Sequence, residues 1–87
     1  MVERELTILN RAGIHARPAA SIVKVANGFK SELTFIKDTM EVNGKSIMGI
    51  ITLGAPYQTK ILMRTEGPDE AKMADAIQHL FENRFEE

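Results

Sequence analysis

Two short segments carry residue types from which chemistry could be built. The first is Gly13-Ile14-His15-Ala16-Arg17-Pro18. It sets a histidine immediately before a stretch that reads as a helix, whose first backbone N–H groups have no intrahelical acceptor. Those amides and the positive end of the helix dipole make an anion site without further device. Arg17 adds a fork of donors that can grip phosphate oxygens in pairs. A nitrogen nucleophile and a phosphate cradle at one spot point to a phosphohistidine at His15. The bland alternative is a plain capping loop, with His15 merely exposed and Arg17 a surface charge.

The second segment is Gly44-Lys45-Ser46. It imitates the end of a P-loop, but that motif needs a glycine five residues before Gly44, where Thr39 stands. The nucleotide-binding reading fails. Ser46 is then either a helix N-cap and nothing more, or a phosphorylation site whose dianion would suit the helix start. The apolar run that follows, Ile47 to Leu53, exceeds one stripe if helical. Ile50 and Leu53 can face a core, while Ile47, Met48 and Ile51 cannot all follow, so part of the run reads as a docking surface. A fully buried short strand is the alternative. No metal is expected, since His15 and His79 are the only histidines, cysteine is absent and no carboxylate pair has ligand spacing. His79 reads as a helix-surface residue.

The elements that must position these residues follow from period and punctuation. Val2, Leu6 and Ile8 alternate with polar residues as in a half-buried strand, and Arg4 breaks the alternation, as near an edge. Asn10 to Gly13 reads as a loop in which Gly13 can take a positive φ. Ala19, Ile22, Val23 and Ala26 then recur at helical spacing, with Pro18 in the first turn and Gly28 as a left-handed C-cap. Leu33 and Phe35, then Met40 and Val42, alternate on either side of Lys37-Asp38-Thr39, which predicts a hairpin. Ser46 and Gly54 bracket a short helix. Tyr57 to Glu66 reads as a strand, and Gly67-Pro68-Asp69-Glu70 opens a last helix with the stripe Met73, Ile77, Leu80 and Phe81. The order is β-α-β-β-α-β-α. Its economical solution is an α+β open-faced sandwich, a four-stranded antiparallel sheet with three helices on one face.

Composition bounds the rest. The 87 residues, 44% of them hydrophobic and 26% charged, fit one small soluble domain over 1–87 rather than a disordered chain. Such a chain buries only about 60% of its unfolded surface, so chemistry is expected on the outside. A net charge of -1 gives no general pull toward nucleic acid or an anionic membrane. An RNA-binding βαβ reading also lacks a basic face and strand aromatics. No apolar run approaches the roughly 20 residues that cross a bilayer, and the charged N-terminus lacks signal-peptide order. A cytoplasmic protein held by core packing alone is expected.

Across essentially its whole length the sequence closely resembles the HPr family, the histidine-containing phosphocarriers of the bacterial phosphotransferase system. Gly13-Ile14-His15-Ala16-Arg17-Pro18-Ala19 is similar to the family's active-site signature, and Lys45-Ser46-Ile47-Met48-Gly49 to its regulatory-serine signature. The resemblance implies that His15 Nδ1 accepts phosphate from phosphorylated enzyme I, which takes it from phosphoenolpyruvate. It also implies transfer onward to a histidine of an enzyme II A-component. Arg17 would steady the phosphate above the amides of Ala16 and Arg17. Ser46 would be the target of an ATP-dependent HPr kinase/phosphorylase, and Ile47, Met48 and Ile51 would join the docking face.

The implied protein is a monomeric carrier with a transient phosphohistidine and no cofactor, rather than a free-standing catalyst. A competing reading is a non-catalytic module that signals to a transcription factor through Ser46 and the apolar patch. Family members of that kind lack the histidine. Gly54-Ala55-Pro56-Tyr57 departs from the glycine-containing loop common in the family, so a stiffer entry to the last strand is expected.

Overall fold

The computed structural model describes residues 1–86. Its elements are β1 (Val2–Thr7), α1 (Ala16–Ala26), β2 (Glu32–Lys37), β3 (Met40–Asn43), α2 (Ile47–Leu53), β4 (Lys60–Glu66) and α3 (Glu70–Glu82), then a 3₁₀ turn over Arg84–Glu86. The strands form one antiparallel sheet in the order β1-β4-β2-β3. With its three helices this is the expected α+β open-faced sandwich, in the order β-α-β-β-α-β-α.

The alternating pattern explains the two faces. Leu6, Leu33, Phe35, Ile61 and Met63 point from the sheet into the core, where Ala19 and Ile22 of α1, Ile50 and Leu53 of α2, and Met73, Ile77 and Phe81 of α3 meet them. Burying each large apolar side chain is worth about 1.5–3 kcal/mol. Leu80 is only partly buried against this core. On the other face Arg64 of β4 lies between Glu3 of β1, at 2.9 Å, and Glu41 of β3, at 3.1 Å.

Two local expectations need correction. Gly28 is not a left-handed cap. α1 ends on Asn27 in right-handed geometry, and the N–H groups of Gly28 and Phe29 reach back to the carbonyls of Val25 and Ala26, tightening the last turn. The last strand begins at Lys60 rather than Tyr57. Gln58 adopts φ +69° inside a turn closed by Thr59 N–H donating to the Pro56 carbonyl. β1 is an edge strand, as the break at Arg4 predicts, and the Arg4 guanidinium reaches α3, donating to Asp75 and Gln78, each at 2.8 Å. Arg4 is thus half-buried with its charge paired.

Candidate functional site

α1 starts at one end of the sheet, beyond the ends of β1 and β2 and the beginning of β4, as the pairs Thr7↔Lys60 and Ile36↔Leu62 require. His15 occupies the N-cap position of α1 with extended backbone, φ −122° and ψ −168°, and is exposed. Its carbonyl accepts the first helical hydrogen bond, from Ala19 N–H at 3.0 Å. The helical ladder therefore starts at Ala19. It makes no use of the amides of Ala16 and Arg17, and Pro18 has none. No acidic residue stands in this first turn, and both Ala16 and Arg17 are exposed. The sequence-derived trio is thus gathered on one accessible helix start.

The loop leading there is held from several directions. Ile8 exchanges backbone hydrogen bonds with the β4 entry, donating to Thr59 and accepting from Gln58. Gly13 takes φ +74°, and a Cβ there would lie 2.9 Å from the Ala55 carbonyl oxygen and 3.0 Å from Pro56 Cα. Only glycine fits that close approach without strain. Ile14 is buried and its N–H donates to the Ala55 carbonyl at 2.9 Å. Exposed Arg11 lies over the Tyr57 ring, 5.9 Å from its centroid, within cation–π range. Two participants were missed in reading the sequence. Asn10, read simply as loop, is 1% exposed, and its Nδ2 donates to the Gly13 carbonyl at 2.6 Å. Ala55 holds this loop through its backbone carbonyl, a contact that leaves no trace in residue type. For Asn10 the Asn-x-x-Gly spacing was the available signal.

Ser46 is the N-cap of α2, as expected, and its Oγ accepts from Gly49 N–H at 3.1 Å. Gly54 ends α2 in left-handed conformation, φ +63°. Ile50 and Leu53 are buried, Met48 is 70% and Ile47 39% exposed, and Ile51 is half-buried against the core. The three patch residues are therefore unequal, with Met48 the most available. α1 and α2 pack against each other, so the His15 and Ser46 helices are neighbours. His79 is exposed on α3, 2.8 Å from the Asn83 amide.

The fold and this helix start define a class: a small open-faced sandwich that presents a histidine and an arginine at its surface. Residues 2–83 match the family model described as the PTS HPr component phosphorylation site. The chain is 47% identical to the phosphocarrier protein HPr of Treponema pallidum, over all of this chain and 99% of that one. It is 42% identical to the HPr-like protein Crh of Halalkalibacterium halodurans, over 88% of this chain and 92% of that one. The crystal structure of HPr-C-His from Thermoanaerobacter tengcongensis superposes with a TM-score of 0.96 at 41% identity, covering 100% of this chain and 98% of that one. The chain belongs to the HPr phosphocarrier family.

Proposed function

We propose that this protein carries a phosphoryl group on His15 between enzyme I and enzyme II A-components. The observation that carries the reading is the exposed His15 at the N-cap of α1, with Arg17 and two amides outside the helical ladder beside it. His15 Nδ1 attacks the phosphorus held by phosphorylated enzyme I, a new N–P bond forms, and the bond to the donor breaks. Phosphate oxygens then accept from the Ala16 and Arg17 amides and from the Arg17 guanidinium, which offset the added charge. Transfer to the A-component reverses these roles. The carrier works as a cytoplasmic monomer, one domain over 1–87, without cofactor or metal, and docks through Met48, Ile47 and the exposed edge of Ile51.

Incubation with enzyme I and phosphoenolpyruvate tests this. An acid-labile adduct of one phosphoryl mass is expected on the wild type and none on His15→Ala. Phosphate on the His15→Ala protein would overturn the assignment.

Ser46 is read as the regulatory site for an HPr kinase/phosphorylase. Its hydroxyl already sits at a helix start beside the apolar patch, so a phosphate there places negative charge on the docking face and weakens enzyme I binding. Equal transfer rates for the unmodified and Ser46-phosphorylated forms would remove this part. The likeness to the Crh protein keeps one alternative in view, a regulatory module acting through Ser46 alone. It would be preferred if only Ser46→Asp bound a transcription factor while wild-type His15 took no phosphate.

A further inference from the structure

We infer that Asn10 is a positioning residue for phosphoryl transfer at His15, acting by locking the peptide group between Gly13 and Ile14. This rests on the carrier reading of His15. The Gly13 carbonyl and the Ile14 N–H belong to one planar unit, and both of its ends are held. The oxygen accepts from Asn10 Nδ2 at 2.6 Å, and the N–H donates to the Ala55 carbonyl at 2.9 Å. Asn10 also accepts Gly13 N–H on its own backbone carbonyl at 3.0 Å, so side chain and main chain together close the loop. Ile14 is buried immediately beyond. Rotation of the clamped peptide would break two hydrogen bonds and swing the next residue, His15, away from its place over the helix start.

The other half of the Asn10 amide points to the same role. Its Oδ1 is buried without a hydrogen-bond partner. A small apolar residue would fill the site without leaving such an atom, so packing alone gives no reason for an amide here. What the amide supplies is one donor aimed at the Gly13 carbonyl. The side-chain orientation is fixed by that carbonyl, because the reversed amide would bring two oxygens together.

The test uses the folded full chain as substrate for enzyme I, comparing wild type with Asn10→Ala and the isosteric Asn10→Asp. Both substitutions remove the donor, and the carboxylate also faces the carbonyl oxygen. A fall of roughly tenfold in kcat is expected for Asn10→Ala, and a larger one for Asn10→Asp, since small misplacements of a reacting atom are costly. KM should hold, because the α2 patch is untouched. Wild-type kcat in both folded variants would overturn the inference. A change in KM alone would do the same. Failure of the wild type to take phosphate would instead overturn the carrier reading, so the two failures are distinct. A measurement on the unmodified protein covers variants that do not fold. Scalar coupling across the hydrogen bond, from Asn10 15Nδ2 to the Gly13 carbonyl carbon, should be detectable by NMR, and its absence would also overturn the inference.

Discussion

The starts of α1 and α3 lie at opposite ends of the sheet and are built in opposite ways. At α3 the chain satisfies itself. The Asp69 carboxylate accepts from Ser31 Oγ at 2.5 Å and from the N–H groups of Lys30 and Ser31, each at 2.9 Å, while Ser31 Oγ accepts Asp69 N–H. Glu70 adds an acidic residue to the first turn and accepts Gly67 N–H. At α1 the first turn holds no carboxylate, and the N-cap side chain is an exposed imidazole. The same physics serves two ends. A helix start with its own anions is a structural joint, whereas one without them is suited to an anion brought by a partner.

Substitutions that strain one end and leave the other intact should separate the two roles. The largest effect is expected at the self-satisfied end. Gly67 has φ +150°, and a Cβ there would lie 2.6 Å from Ser31 Oγ and 2.7 Å from Ser31 Cα. Gly67→Ala should destabilise by about 2–3 kcal/mol in urea unfolding, through backbone strain and loss of the Ser31–Asp69 lock. Phosphoryl transfer by the molecules that remain folded should be unchanged. A loss of transfer without a loss of stability would break the comparison.

Arg17→Ala should do the reverse. Its side chain is exposed, so the unfolding midpoint should barely move. Removing a charge-assisted contact to phosphate should lower the transfer rate about tenfold. An unchanged rate would remove Arg17 from the site.

The smallest effect concerns pH. The Ser31 hydroxyl, followed by the Lys30 and Ser31 amides, holds the Asp69 carboxyl down from its ordinary 3.8 to about 2. A carboxylate with a depressed folded value stabilises the native state fully above its unfolded value, and that contribution is lost as pH falls through the folded one. The unfolding midpoint should therefore decline between pH 3.8 and about 2, and Asp69→Asn should flatten that decline. Identical slopes for the two proteins would show that the carboxylate is not protected there.

Those features that depend on near neighbours in the chain were legible. The Ser46 cap, the Gly54 stop, the Pro18 first turn and the helical stripes are local, because capping and period act within a few residues. The exposed apolar run of α2 was legible in outline too, since seven residues of helix cannot bury five apolar side chains on one face. Features that depend on distant partners were not. Gly28 follows Asn27 in a sequence typical of a left-handed cap, yet a tighter right-handed turn carries the chain to Phe29, partly buried against the core. Tyr57 extends an apolar pattern into β4, but pairing of Ile8 with the Gln58–Thr59 turn delays the strand.

Sequence by itself determined the order of elements, the four-stranded sandwich and the placement of His15 before a helix beside Arg17. Period, caps and turn residues encode these within short stretches. Only the tertiary structure decided that Asn10 and Ala55 hold the two ends of one peptide ahead of His15, and that Ser31 meets Asp69 across 38 positions of chain. Those contacts join backbone groups, or small polar side chains, brought together by the closing of the sheet, and a backbone carbonyl has no residue type by which to announce its partner.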